Sequence, residues 1–357
     1  MIWADRRLCD LLGIEHPIIQ APMSGSATPT LAAAVSNAGA LGSLGCAEMS
    51  VEEFRAAFAE ARALANGPIN VNFFAHISPR ADGGGLARAR DFLKPIYAEA
   101  GLLEIPPWPQ TIRAFDATIL GPLLEAKPQI VSFHFGLPSP QAIRALKAQG
   151  AVILSTATTT AEARDLEARG ADAVIAQGWE AGGHQGRYLS DQPAQIGTLV
   201  LVPQVVDAVQ VPVIAAGGIA DGRGIAAALA LGASGVQMGT AFLWTDEAKV
   251  APARREAMRR AGAGDTAMTK GFTGRPARAI VNRFVEAMAP HEDDLPPFPL
   301  LDGLTLPLDI AGATAGAPDY MGLLAGQSVA RNRQGGAAEL VETLAAETAA
   351  AIGGVAA

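Results

Sequence analysis

The sequence contains few of the residues on which disulfide-rich, metal-binding and membrane proteins depend. Its 357 residues include only two cysteines, Cys9 and Cys46. Two separated cysteines provide neither a disulfide framework nor the ligand spacing of a zinc site. No run of about 18 uninterrupted apolar residues is present, and residues 1–17 lack the apolar core of a signal peptide. We therefore expect a cytoplasmic protein that does not bind a membrane or a metal.

Charged residues are also scarce, at 17% of the chain, and the formal net charge is −8. The net charge is negative and the sequence contains no cluster of lysine and arginine, so we expect no nucleic-acid partner. Half of the residues are hydrophobic, which excludes a disordered chain. A chain of this length can bury one large core, and a barrel-sized domain with an appended subdomain suits it.

Short apolar segments alternate with helical patterns from residue 16 onward. Eight segments predict buried strands, at residues 16–23, 40–45, 69–75, 130–136, 151–158, 171–178, 211–218 and 235–243. Their nearly continuous hydrophobicity is typical of parallel strands covered on both faces. Eight strands, each followed by a helix or connecting segment, favour an α/β fold of the TIM (β/α)₈ barrel type over an open doubly wound sheet.

Capping residues mark the predicted helices at residues 139–150, 160–170 and 221–232, each of which closes on glycine. Residues 1–245 form the predicted barrel, with a Gly- and Pro-rich insertion at 80–125. Residues 246–318 predict a small, mainly helical, lid-like subdomain. Residues 319–357 are expected to form helices, at 321–330 and 339–352, that pack back on the barrel.

Glycine-rich turns follow the last two predicted strands, at the barrel face where catalytic groups belong. Gly217 and Gly218, in AAGGIADGRG, stand between a strand and a helix. Backbone N–H groups and a helix dipole at such a junction suit a phosphate. The eighth strand ends QMGT, where Gly239 permits close backbone approach and the Thr240 hydroxyl can donate a hydrogen bond. These turns predict a phosphate site, with tight turns at barrel ends as the alternative interpretation.

The charged side chains that other barrel enzymes use are missing from the strand ends. None of the five lysines follows a predicted strand, which excludes a Schiff-base aldolase. His76, His134 and His184 lie at strand ends with few carboxylates beside them, which does not fit a metal hydrolase. A phosphorylated cofactor that carries out redox chemistry fits such a site, with the protein supplying position and one proton acceptor.

Six segments together resemble the nitronate monooxygenases, formerly called 2-nitropropane dioxygenases. They are IIQAPMSG, SNAGALGSLG, INVNFF, AQGWEAGGHQGR, PVIAAGGIADGRGIAAALALGASGVQMGTAFL and LLAGQS. The resemblance runs through most of residues 14–243 and resumes near 320–330. It implies an FMN-binding barrel of the class that needs no NAD(P)H. Such an enzyme oxidises alkyl nitronates and nitroalkanes with O₂ to carbonyl compounds and nitrite.

The resemblance also implies roles for individual residues. The implied FMN-binding residues are Pro22, Met23, Asn72, Gln177, Gly182, Gly217, Gly218, Gln237, Met238, Gly239, Thr240 and Gln327. Pro22 and Met23 would back the isoalloxazine ring, and Asn72 and Gln177 would hydrogen-bond its polar edge. Gly182 would let the loop backbone approach the ring. The glycine pair and the QMGT run would hold the phosphate, and the last glutamine would close over the flavin.

His184 is the implied catalytic residue, a base that deprotonates a nitroalkane or positions its nitronate. A protonated His184 would favour the anion, and an imidazole of ordinary pKa can also act as a base near neutral pH. A solvated loop histidine is the alternative. For His134, a structural histidine is the favoured interpretation.

One segment departs from the resembled family, in which tyrosines and a lysine face the substrate. The corresponding residues 296–309 carry Phe298 but no tyrosine or lysine. Two other functions stay open: an FMN-dependent NAD(P)H reductase of enoyl or quinone substrates, and a non-catalytic barrel that binds a flavin or phosphate ligand. A homodimer is also compatible with the sequence.

Overall fold

The computed structural model describes residues 3–79, 83–107, 112–190, 192, 194–331 and 333–355. Its strands are β1 (Ile18–Gln20), β2 (Gly42–Gly45), β3 (Ile69–Phe74), β4 (Ile130–His134), β5 (Val152–Ala157), β6 (Ala173–Gln177), β7 (Gly183–His184), β8 (Val213–Ala216), β9 (Gly235–Met238), β10 (Thr266–Thr269) and β11 (Ala277–Ile280). Eight of them form one parallel sheet, in the order β1-β9-β8-β6-β5-β4-β3-β2. A parallel bridge between Ile19 and Leu41 joins its two edges. The predicted TIM barrel is therefore confirmed.

All eight predicted barrel segments contain a strand that is shorter than predicted, and the end of the last segment has a different structure. β9 ends at Met238, and Thr240–Trp244 form a 3₁₀ helix instead of continuing the strand. The Phe242 N–H turns back to donate to the Gly239 carbonyl at 2.9 Å. This turn buries Phe242, Leu243 and Trp244 beside the barrel mouth.

The helices are α1 (Arg7–Leu12), α2 (Pro29–Asn37), α3 (Val51–Leu64), α4 (Gly83–Glu99), α5 (Ala117–Ala126), α6 (Pro140–Ala148), α7 (Thr160–Ala168), α8 (Thr198–Val206), α9 (Gly222–Ala230), α10 (Pro252–Arg260), α11 (Arg283–Met288), α12 (Asp302–Ala315) and α13 (Ala337–Val355). Side chains of Ser139, Thr159 and Asp221 accept hydrogen bonds from the first turns of α6, α7 and α9. The three helices predicted from their caps are thus confirmed. Within the described residues, no helix has the length and apolar character needed to span a bilayer.

The appended subdomain combines a three-stranded antiparallel sheet, in the order β10-β11-β7, with helices α10 to α12. Residues 246–318 do not build it alone. Helix α4, from the 80–125 insertion, packs Leu93 and Tyr97 against Leu304 of α12, and the Tyr97 hydroxyl donates to the Leu304 carbonyl at 2.6 Å. The third strand, β7, belongs to the loop that follows barrel strand β6. That loop therefore links the subdomain to the barrel mouth.

The prediction of a helix at 321–330 is wrong. This segment runs extended across the barrel mouth and then turns, because its backbone forms tight-turn bonds and bonds to other elements in place of the regular bonds of a helix. The Gln327 N–H donates to the Glu180 carbonyl at 3.0 Å, and the Ile280 N–H donates to the Leu323 carbonyl at 2.9 Å. The predicted helix at 339–352 is confirmed within α13, which packs on α9 and α2.

Candidate active site

A cavity of about 240 Å³ opens at the carboxyl ends of the barrel strands. We call it the central cavity. Most of the predicted site residues line it, namely Pro22, Met23, Asn72, Gln177, Gly182, His184, Gln237, Gly239 and Thr240. The barrel thus brings together side chains from four strand ends and from the loop that follows β6. This is the face at which TIM barrels carry their active sites.

The other predicted site residues lie outside the central cavity. Gly217, Gly218 and Gln327 line a second cavity of about 540 Å³, on the other side of the loop after β6. Gly217 and Gly218 have φ of +115° and +71°, a backbone region that disfavours residues with a side chain. The side chain of Met238 is 2% exposed and belongs to the barrel core. The predicted phosphate residues are therefore divided between two cavities.

Gly182 has a packing role that the sequence did not indicate. A Cβ atom at this position would lie 2.4 Å from the Gly326 nitrogen and 2.5 Å from the Ala325 carbonyl carbon. These are backbone atoms of the segment that crosses the mouth, so they cannot move aside cheaply. Close approach of that segment therefore requires glycine here, whether or not a ligand is bound.

Amide side chains face the central cavity from the barrel. Asn72 is 6% exposed, and its Nδ2 donates to Ser132 Oγ at 2.9 Å. Gln237 Oε1 is buried and accepts no hydrogen bond from the described residues. A buried acceptor without a donor is costly, so this atom fits a ligand that presents an N–H group. The polar edge of an isoalloxazine ring carries both N–H donors and carbonyl acceptors, and the amides present fit it.

Gln177 was predicted to contact the flavin, and the structure uses its amide to hold a loop. Its Nε2 donates to the His184 carbonyl at 3.0 Å, and its Oε1 accepts from the Gly186 N–H at 2.7 Å. Both ends of the amide therefore fix the backbone on either side of Gln185. The second N–H of Nε2 has no acceptor among the residues that the structure describes.

His184 is fixed in the subdomain sheet and turns its ring toward an aromatic surround. Within β7 it pairs with Ala277 of β11, and its Nε2 lies 2.9 Å from Thr273 Oγ1. The rings of Phe74, Phe135 and Phe298 surround it, with centroids 5.4 to 6.2 Å away. Burial lowers the pKa of His184 to about 3, helped by the nearby His134 and Arg275. The imidazole is therefore neutral at pH 7 before a ligand arrives.

His134 supports the same loop from the barrel. Its Nε2 lies 3.1 Å from the His184 carbonyl, and its Nδ1 lies 3.1 Å from Thr156 Oγ1. Burial lowers its pKa to about 4. Because both ring nitrogens already have partners, His134 acts on the site by fixing the position of the His184 backbone.

Arg275 and Thr273 are site residues that the sequence analysis missed. The Arg275 guanidinium stacks on Phe135, with Cζ 3.9 Å from the ring centroid, and its charge lowers the pKa of His184, His134 and His76. Both residues lie about 90 positions after His184, between β10 and β11, and no motif drew attention to that segment. Only the pairing of β7 with β11 brings them to the site.

Comparison with known proteins identifies the family of the chain. The family model described as nitronate monooxygenase matches residues 5–347. The chain is 47% identical over 345 residues to the nitronate monooxygenase of Pseudomonas aeruginosa, covering 96% of this chain and 98% of that protein. The chain belongs to the nitronate monooxygenase family.

Further relatives show how widely the fold is shared. A probable nitronate monooxygenase of Staphylococcus aureus is 40% identical, covering 92% of each chain. The crystal structure of nitroalkane oxidase from Streptomyces ansochromogenes superposes with a TM-score of 0.88 at 40% identity, covering 98% of this chain and 99% of that one. FabK from Thermotoga maritima superposes with a TM-score of 0.77 at 33% identity, covering 98% of both chains.

The tyrosines of this family member lie away from the central cavity. Tyr97 bonds to α12, as described above, and the Tyr188 hydroxyl donates to Asp165 at 2.8 Å. The Tyr320 hydroxyl donates to Glu99 at 3.1 Å. Phe298 instead packs beside His184, with 5.4 Å between ring centroids. The surround of His184 is therefore aromatic and lacks a phenol group among the described residues.

Proposed function

We propose that this chain is an FMN-dependent nitronate monooxygenase that oxidises alkyl nitronates and nitroalkanes with O₂ to carbonyl compounds and nitrite. The observation that carries the proposal is a half-buried His184, neutral at pH 7, that lines the same cavity as the amides of Asn72 and Gln237. When bound, FMN would supply the redox chemistry between the nitronate and oxygen.

The barrel side supports the binding of the cofactor. Asn72 and Gln237 would bond the polar edge of the flavin, since both line the central cavity and Gln237 Oε1 lacks a donor there. Pro22 and Met23, at the end of β1, would contact the ring. The backbone of Gly217 and Gly218 would hold the phosphate, with Gln327 beside it in the second cavity, and Thr240 would contact the cofactor from the central cavity.

His184 would act as a proton acceptor. A neutral imidazole can take the α-carbon proton of a nitroalkane, and the nitronate anion that forms then stabilises the imidazolium by direct charge pairing. The hypothesis that a protonated His184 attracts the anion does not agree with a pKa of about 3. A nitronate is already deprotonated and needs no base. Comparing the rates with a nitroalkane and with its nitronate therefore distinguishes an effect on proton transfer from an effect on oxidation.

The test is oxygen uptake and nitrite release by the purified protein reconstituted with FMN. We expect oxygen uptake and nitrite release with ethyl nitronate and with nitroethane, in the absence of NAD(P)H. Absence of nitrite from ethyl nitronate, in a sample that has bound FMN, would contradict the proposal.

The likeness to FabK favours one second candidate, an FMN-dependent NAD(P)H reductase of enoyl or quinone substrates. Anaerobic addition of NADH distinguishes the two. Rapid bleaching of the flavin would support the reductase, whereas a flavin that NADH leaves oxidised and ethyl nitronate reduces would support the monooxygenase.

A further inference from the structure

Thr273 lies directly behind the ring of His184. It is 7% exposed and belongs to the turn between β10 and β11. Its Oγ1 lies 2.9 Å from His184 Nε2, the only hydrogen bond of this ring within the described residues. Nε2 is therefore engaged by the subdomain, which leaves Nδ1 as the nitrogen without a hydrogen bond among the described residues, on a side chain that lines the central cavity.

The hydroxyl of Thr273 also has two backbone neighbours. It lies 3.5 Å from the Arg275 carbonyl, to which it can donate, and 3.4 Å from the Arg275 N–H, from which it can accept. A hydroxyl has a single proton to give. When that proton goes to the Arg275 carbonyl, the oxygen accepts the Nε2–H of His184 at the shorter distance.

The hydrogen-bond partner of Nε2 determines which of the two ring nitrogens carries the proton of a neutral imidazole. A ring that carries its proton on Nε2 has a lone pair on Nδ1, and a ring with the opposite tautomer has none there. Only the first tautomer can take a proton from a molecule in the central cavity through Nδ1. The partner of Nε2 thus decides whether the exposed nitrogen is a base.

We propose that Thr273 is a positioning residue that holds His184 in the Nε2–H tautomer and presents the Nδ1 lone pair to the substrate. The catalytic consequence rests on the proposed function, whereas the tautomer is a property of the chain alone. His134 provides an internal comparison. Its Nε2 faces the His184 carbonyl at 3.1 Å, an acceptor that requires the Nε2–H form regardless of any hydroxyl.

The tautomer is measured directly from the ¹⁵N and ¹H shifts of the histidine side chains in ¹⁵N-histidine-labelled protein. We expect the wild-type His184 to show a proton on Nε2. Thr273→Val, which keeps the shape and removes the hydroxyl, should give a mixture of tautomers, and Thr273→Ser should restore the wild-type spectrum. Thr156→Val is the matched control: it removes the hydroxyl next to His134 and should change neither tautomer. A wild-type His184 with its proton on Nδ1, or an unchanged spectrum in Thr273→Val, would overturn the proposal.

Kinetics test the consequence. For Thr273→Val we expect kcat/KM to fall about tenfold with nitroethane, a part of the 10²–10⁴-fold that a general base contributes. With ethyl nitronate the same variant should change less than about threefold, because no proton is removed. Equal losses with both substrates would assign Thr273 a purely structural role and overturn the proposal. A wild-type protein inactive on ethyl nitronate would instead contradict the proposed function and leave the spectroscopic result to stand on its own.

Discussion

The two sides of the central cavity differ in chemistry and in the part of the chain that builds them. The barrel side consists of strand-end side chains that offer hydrogen bonds, chiefly Asn72 and Gln237. The subdomain side carries His184, Phe298 and the cation of Arg275, and the barrel residues Phe74 and Phe135 complete its aromatic surround. The first side suits the edge of a polar ring, and the second suits transfer of a proton in apolar surroundings. We therefore expect substitutions on the two sides to affect different steps.

The largest effect is expected from His184→Ala. Loss of the base should lower kcat/KM for nitroethane by about 10²–10⁴-fold, as is typical of general-base catalysis. The value for ethyl nitronate should fall much less, since this substrate is already deprotonated. Steady-state oxygen uptake with both substrates checks this, with bound FMN measured in the same sample. Full activity of the variant on nitroethane would exclude His184 as the base.

A smaller effect, on stability, is expected from Gly182→Ala. The added methyl meets the backbone of residues 325 and 326 at about 2.5 Å or less, and overpacking of this kind costs about 1–3 kcal/mol. The free energy of unfolding, measured in urea, should fall accordingly. Gly121→Ala is the matched control, because a Cβ at that helical position meets nothing within 4 Å and should leave stability equal or slightly higher. Equal stability of both variants would show that the mouth segment can move aside.

Gln237→Met tests the barrel side. It removes an acceptor that has no partner among the described residues, so the apoprotein should be at least as stable as the wild type. FMN should bind about tenfold more weakly, because one hydrogen bond of about 1 kcal/mol or slightly more is lost. Quenching of FMN fluorescence during titration of the apoprotein measures the dissociation constant. Unchanged affinity would mean that the ligand does not reach Gln237.

The smallest effect is expected from pH. A base must be unprotonated to act, and burial lowers the pKa of His184 to about 3. The kcat/KM for nitroethane should therefore show no decrease as the pH falls from 7 to 5, and should be lost only as the pH approaches that pKa. A histidine of ordinary pKa, near 6.5, would lose activity about tenfold per pH unit below that value. A decrease in kcat/KM between pH 7 and pH 5 would show that the imidazole is more exposed to solvent than in this structure.

The barrel could be predicted from the sequence because its signals are local. The apolar runs, the capping residues Ser139 and Asp221, and the glycines at strand ends each act within a few positions. The strand after residue 238 was wrong because a local 3₁₀ turn replaces it, and the helix at 321–330 was wrong because hydrogen bonds to distant elements override the local pattern there. His184 was predicted from its loop, and the structure places it at the central cavity.

The environment of His184 could not be predicted from local sequence patterns. Strand β7 has two residues and no pattern of its own, and it exists only because β11 pairs with it. The positions of Thr273 and Arg275 depend on that pairing, as does the pKa of His184. Gln177 shows the same limit: its type fits a flavin contact, and only the structure reveals that its amide holds the loop.

The division between the two sides is tested most directly by comparing His184→Ala and Gln237→Met in one experiment. For each variant, the FMN dissociation constant and the ratio of kcat/KM for nitroethane to that for ethyl nitronate are measured at saturating FMN. We predict that His184→Ala lowers the ratio by at least about tenfold and leaves FMN affinity unchanged. Gln237→Met should weaken FMN binding and leave the ratio unchanged. Variants that shift both quantities together would contradict the assignment of cofactor binding to the barrel and proton transfer to the subdomain side.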